Sequence, residues 1–152
     1  MPNSVINSVC REAPLLRTGD SVGESVAKLA ASGLPALVVT DDDGRFAGIF
    51  GEREFIGAIF PGYLKEMKHA AFVPASLEDS LEKRAESRDD PVSEYMNTEH
   101  VEIEADASDA QVAEIFLHHR VLIIPVVADR RPLGLITRSD FFREIAQRFA
   151  AH

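Results

Sequence analysis

The residues of this 152-residue chain whose types and order suit chemistry lie together at Gly134-Leu135-Ile136-Thr137-Arg138-Ser139-Asp140. Asp140 offers an ionised carboxylate, which accepts hydrogen bonds from two neighbouring hydroxyls at once, as acidic residues do toward a ribose. Thr137 and Ser139 place hydroxyls where a strand is expected to pass into a helix, and the first N–H groups of a helix favour a phosphate. Arg138 adds a guanidinium fork for phosphate oxygens. Each residue also has a plainer reading. Asp140 suits the first turn of a helix, Ser139 its cap, Gly134 a close packing contact and Arg138 a solvated charge. Arg120 faces a similar choice between a phosphate and the last carbonyls of a helix.

Other chemistries find little support. His118 and His119 are adjacent, so a regular helix cannot aim both at one metal, and no His-x-x-x-His spacing occurs. Cys10 is the only cysteine and has no evident base partner. Neither Gly-x-x-x-x-Gly-Lys-Ser/Thr nor Gly-x-Gly-x-x-Gly is present. Asp41-Asp42-Asp43 falls in an expected turn and reads as solvated. No catalytic or metal-binding residue is nominated, and the chain is expected not to be an enzyme; a nucleotide-hydrolysing or redox activity is the remote alternative. The net charge of -9 argues against nucleic acid and against an anionic membrane surface as partners. A lone cysteine forms no internal disulfide, Met1 to Cys10 lacks the features of a secretory leader, and no apolar run reaches a membrane span. The expected location is cytoplasmic.

The elements that must position the motif occur twice. In the first copy, Val22, Val26, Leu29 and Ala30 have helical spacing and Gly33 suits the left-handed residue that ends a helix. Leu34 to Thr40 reads as a strand, Asp41 to Gly44 as a turn, Phe46 to Phe50 as the returning strand, and Glu52 to Phe60 as a helix stopped by Pro61-Gly62. In the second copy, Val101 and Ile103 alternate with Glu102 and Glu104 as a half-buried strand does. Ala110 to His119 then reads as a helix, Val121 to Val127 as a strand, Asp129 to Pro132 as a turn and Leu133 to Ile136 as the return. A final helix starts at Ser139 or Asp140, with Phe141, Phe142, Ile145 and Phe149 on its apolar side. Superposing the copies sets Val22 on Ala110, Leu37 on Pro125 and Val38 on Val126. After a shorter second hairpin, Gly48 falls on Gly134, Gly51 on Thr137, Glu54 on Asp140 and Phe55 on Phe141. The chain therefore divides into a first repeat at 10–60, a helical insertion at 61–91 and a second repeat at 92–152. In the insertion, Tyr63 to Phe72 looks helical, Ser76 to Asp79 starts another helix, and Leu64, Met67, Phe72, Val73, Leu77 and Leu81 call for burial.

Ile124-Pro125-Val126-Val127-Ala128-Asp129 followed by Gly134-x-x-Thr137-x-x-Asp140 resembles the repeat of a CBS-domain pair, or Bateman module, and Tyr95-Met96-Asn97-Thr98 resembles the family's lead-in to its second repeat. The first copy is degenerate: Leu37-Val38-Val39 lacks the proline, and Gly48 to Glu54 lacks both threonine and aspartate. The resemblance implies an α/β (α+β) fold of two pseudo-symmetric βαββα repeats and a stand-alone regulatory or sensor module. It implies an adenosine-type ligand (AMP, ADP, ATP or S-adenosylmethionine) bound by Thr137, Arg138, Ser139 and Asp140. The base would lie against Ile124 and Pro125, with main-chain groups around Thr98, His100 and Val101 reading its edge. No cofactor is required, one site per chain is expected, and a homodimer and an unidentified regulated protein are the implied partners. The alternative is a dimerisation module that binds no ligand, with Val26, Leu29, Phe141, Phe142 and Ile145 as candidate contacts.

Overall fold

The computed structural model describes residues 4–60 and 76–152. The expected helix at Tyr63 to Phe72 and the residues Leu64, Met67, Phe72 and Val73 lie outside the described residues. The first repeat comprises β1 (Leu16–Arg17), α2 (Val22–Ser32), β2 (Ala36–Thr40), β3 (Phe46–Gly51) and α3 (Glu52–Ile59), preceded by a short α1 (Val5–Val9). The second comprises β4 (Ile103–Glu104), α5 (Asp109–His118), β5 (Ile123–Ala128), β6 (Arg131–Thr137) and α6 (Arg138–Ala150). Between them run α4 (Leu77–Lys83) and two 3-10 turns, Ala85–Asp89 and Val92–Glu94.

Local chemistry explains the boundaries. Ser21 caps α2 by accepting from the Glu24 N–H, and Gly33 ends it at φ 70. Ser108 caps α5 in the same way through Gln111, whose side chain returns the bond. The two caps correct the superposition by one residue: Ser21 matches Ser108, so Val22 falls on Asp109 and Val39 on Val126. Ladder partners agree, since Val39 faces Gly48 and Val126 faces Gly134. Asp41 organises the first hairpin by accepting from the Arg45 and Asp43 N–H groups, and the bond from Arg45 above all lowers its carboxyl from the ordinary value. The second hairpin turns on Asp129 and Arg130 alone, both at positive φ, so Arg131 and Pro132 belong to β6 and not to the turn.

Each repeat forms a three-stranded sheet with one parallel and one antiparallel pair, β1-β2-β3 and β4-β5-β6. Successive residues of a strand point to opposite faces. Leu135 and Ile123 accordingly join the first repeat's core with Leu37, Val39 and Phe50, whereas Ile124, Val126 and Ile136 pack with Val112 and Phe141 of their own helices. β5 is buried on both faces for this reason.

The segments that lead into the repeats are exchanged. Val5, Ile6 and Val9 of α1 pack in the second repeat's core, and Arg11 pairs its backbone with Leu135 of β6 (2.9 and 3.0 Å). Asn97, which leads into the second repeat, pairs with Ile49 of β3 (2.8 and 3.0 Å). Gly134 and Gly48 permit these crossings. A Cβ on Gly134 would lie 2.5 Å from the Arg11 carbonyl oxygen, and one on Gly48 2.7 Å from that of Asn97.

Two expectations of burial fail. Leu77 and Leu81 are exposed, because α4 turns Ser80 inward. On α6 only Phe141 is buried, against Phe116 at a ring separation of 5.5 Å, while Phe142, Ile145 and Phe149 are exposed. Among the described residues, no helix is long and apolar enough to cross a membrane.

Candidate functional site

The junction of β6 with α6 opens onto a cavity of about 360 Å³ between the two repeats. Thr137 to Asp140, Leu122 and Arg143 form one wall, Gly33, Leu34, Pro35 and Glu52 the other, and Arg11 crosses beside them. Thr137, not Ser139, caps the helix: its Oγ1 accepts from the Asp140 N–H at 3.0 Å. The Asp140 carboxylate borders the cavity, where two guanidinium groups meet it. Oδ2 accepts from Nε (2.8 Å) and Nη2 of Arg11, and Oδ1 accepts from Nη1 of Arg143 at 3.2 Å. Three arginines, Arg11, Arg138 and Arg143, thus line a cavity that holds two carboxylates, Asp140 and Glu52.

The corresponding junction of β3 with α3 borders a second cavity of about 380 Å³, lined by residues that include Ala36, Ile49, Glu54, Ile56, Asn97, His100, Arg120 and Ile123. Pro35, Glu52 and Leu122 border both cavities. Gly51 stands where the second repeat has Thr137 and offers no cap. Glu54 instead accepts from the Gly51 N–H at 2.9 Å, which commits that carboxylate oxygen to its own helix. Gly51 cannot regain a side chain cheaply, because a Cβ there would lie 2.6 Å from the Pro35 carbonyl oxygen. His100 Nδ1–H donates to the Val101 carbonyl at 2.8 Å, and burial holds its imidazole below the ordinary value. A larger hollow of about 650 Å³ lies between α2, α3 and the turn at Ala85–Asp89, and none of the motif residues lines it.

The sequence matches the CBS domain over two stretches, residues 6–61 and residues 92–147. The chain belongs to the CBS-domain family. An uncharacterized protein of Methanocaldococcus jannaschii is 26% identical over 142 residues, covering 93% of this chain and 32% of that protein. The chain thus spans about a third of the length of that curated relative. A CBS-domain protein of Agrobacterium tumefaciens has a similar structure, with a TM-score of 0.66 at 26% identity over 89% of this chain and 90% of that one. CBSX2, solved in complex with AMP, gives a TM-score of 0.69 at 16% identity over 95% of this chain and 96% of that one.

Within this CBS pair the nine residues nominated from sequence do not share one cavity. Thr137, Arg138, Ser139 and Asp140 line the second-repeat cavity. His100 lines the first-repeat cavity, while Thr98 and Val101 are among the lining residues of neither. Ile124 is wholly buried in the second core, and Pro125 is buried opposite Leu135. The exchange of lead-ins accounts for the division, since Arg11 rather than Asn97 to Val101 passes beside Asp140. Arg11, Arg143, Leu34, Pro35 and Leu122 were not nominated. Gly134 signalled that some backbone must cross there, but nothing local to it named residue 11.

Proposed function

We propose that this CBS pair is a regulatory module that binds an adenosine-type nucleotide in the second-repeat cavity and acts by binding, not by catalysis. The observation that carries this reading is the convergence of Thr137 to Asp140, Arg11 and Arg143 on one cavity beside apolar residues. A volume of about 360 Å³ lies within the range of small-molecule sites. Asp140 is the acceptor for ribose hydroxyls, and the Ser139 hydroxyl and the Arg138 guanidinium receive phosphate oxygens, while the Arg138 and Asp140 N–H groups stay bonded to Leu122 and Thr137. The base lies against Leu34, Pro35 and Leu122. The AMP held by the structurally similar CBSX2 supports the same ligand class.

Calorimetry against AMP, ADP, ATP and S-adenosylmethionine tests the reading. At least one should bind with a dissociation constant below about 1 mM, and Asp140→Ala should abolish or strongly weaken that binding. Silence from all four, or unchanged binding by the variant, refutes it.

A second reading, self-association, rests on Phe142, Ile145 and Phe149, which fall on one exposed face of α6. A two-fold dimer through that face should appear as twice the monomer mass in light scattering and should dissociate in Phe142→Ser/Phe149→Ser. A monomer at all concentrations excludes it.

A further inference from the structure

The acceptor that a ribose needs is already engaged. An ionised carboxylate offers about four lone-pair positions, and three of those on Asp140 are taken. Arg11 holds both positions on Oδ2, and Arg143 holds one on Oδ1. A diol that gives one hydroxyl to each oxygen must therefore turn at least one Arg11 N–H away. Movement of that side chain is open to it, because it is 47% exposed. Its backbone stays in place, tied to Leu135 on both sides of the peptide and pressed against Gly134. Arg11 is thus a group of fixed base and movable head, held at the lip of a cavity that also contains Arg138 and Arg143.

A guanidinium drawn off a carboxylate loses a charge-assisted bond, and the loss is offset only when another anionic acceptor is within reach. A phosphate carried by the same ligand supplies that acceptor. An uncharged nucleoside does not, and S-adenosylmethionine, whose single carboxylate is outweighed by its sulfonium and ammonium, brings a net positive charge beside three arginines. Specificity is a difference of affinities, and here the difference is set by what Arg11 gains after it leaves Asp140. We infer that Arg11 is an exchange latch which makes the second-repeat cavity selective for phosphorylated nucleosides over adenosine and S-adenosylmethionine. The inference rests on the nucleotide reading above, and it selects among ligands that the sequence left equivalent.

The test compares AMP, adenosine, S-adenosylmethionine and inorganic pyrophosphate by calorimetry on the full chain and on Arg11→Ala. On the native chain AMP should bind at least about tenfold tighter than adenosine, the size of one charge-assisted bond, with S-adenosylmethionine weaker again. Arg11→Ala should tighten adenosine and change AMP much less, so that the two affinities converge to within about threefold. Arg11→Lys, which keeps the charge without the planar fork, should fall between the two proteins. Adenosine or S-adenosylmethionine matching AMP on the native chain overturns the latch while leaving the nucleotide site standing. So does an affinity ratio that Arg11→Ala leaves unchanged. Pyrophosphate binding that depends on Arg11, with no response to any adenosine compound, keeps the anion selectivity and sinks the adenosine reading. If neither AMP nor pyrophosphate binds, the latch falls, and if adenosine and S-adenosylmethionine are silent as well, the adenosine reading falls with it.

Discussion

The two strand-to-helix junctions of this chain share a backbone and differ in what they carry. Where Arg11 crosses Gly134, Asn97 crosses Gly48 with the same pair of hydrogen bonds. Continuing that register, Gly51 stands for Thr137, Glu52 for Arg138, Glu54 for Asp140 and Gly57 for Arg143. The second-repeat cavity therefore holds a carboxylate clamped between two arginines, and the first-repeat cavity holds a carboxylate folded back on its own helix. What both junctions keep is the glycine that lets a foreign segment lie across the strand. What only one keeps is the set of side chains aimed outward. The crossing is a requirement of the fold, and the cationic cavity is a property of one repeat, so substitution should separate the two.

The largest effect is expected where backbone meets backbone. Gly134→Ala and Gly48→Ala each push a methyl group onto the carbonyl oxygen of a residue tied down by two backbone hydrogen bonds, one of them accepted by that oxygen, and the oxygen cannot yield without straining them. Overpacking of this kind costs about 1–3 kcal/mol, and the tighter contact at Gly134 puts it near the upper end. For a chain of this length that lowers Tm by roughly 3–9 °C. Thermal unfolding should rank the two variants in that order. If both unfold at the native temperature, the crossings are not as the structure has them.

How far this comparison was legible in the sequence follows from the range of each signal. The order of elements in each repeat and the paired glycines were readable, because caps, turn residues and apolar spacing act over a few residues. The superposition slipped by one because apolar runs such as Leu34 to Thr40 look alike in either register; Ser21 and Ser108, matched as caps, fix it. Thr137-x-x-Asp140 is itself a capping pattern, and Thr137 rather than Ser139 takes the cap of α6. Arg11 had no local signal, since it meets Asp140 from 129 residues away. The same exchange drew the expected contacts at Thr98, His100 and Val101 away from the motif they were meant to serve.

Capping should distinguish the junctions at the next scale. Thr137→Ala removes the side-chain cap of α6 and should cost about 1 kcal/mol, or roughly 3 °C in Tm. Glu54→Ala removes only a carboxylate bond to one N–H at the start of α3 and should cost about 0.3–0.5 kcal/mol. Equal losses would mean that the junctions are capped equally well, contrary to the side chains found there. Gly57→Ala, at the position where the second repeat has Arg143, meets open space and should stabilise α3 by about 0.5 kcal/mol or slightly more. A loss of stability there would show that the glycine is needed for contact and not merely tolerated.

The smallest expected difference is one of pH response, and it belongs to the first-repeat side alone. His100 borders that cavity, and the lining of the second holds no imidazole. Burial, and to a lesser extent the nearby His119, hold the His100 imidazole below its ordinary value of 6.5, while its bond to the Val101 carbonyl opposes the shift. Between that ordinary value and the lower native one, the unfolded chain binds more protons than the folded chain, so stability rises with pH across the window. His100 should therefore contribute fully above about pH 6.5, and its contribution should decline as the pH falls through that value toward the native one. Unfolding followed from pH 7.5 to pH 5.5 should show Tm falling in the native chain. His100→Asn keeps a donor for Val101 but does not titrate, and it should flatten that part of the curve. Identical slopes in the two proteins would show that the imidazole is as well solvated in the fold as out of it, and would remove the one pH-sensitive feature that sets the first cavity apart from the second.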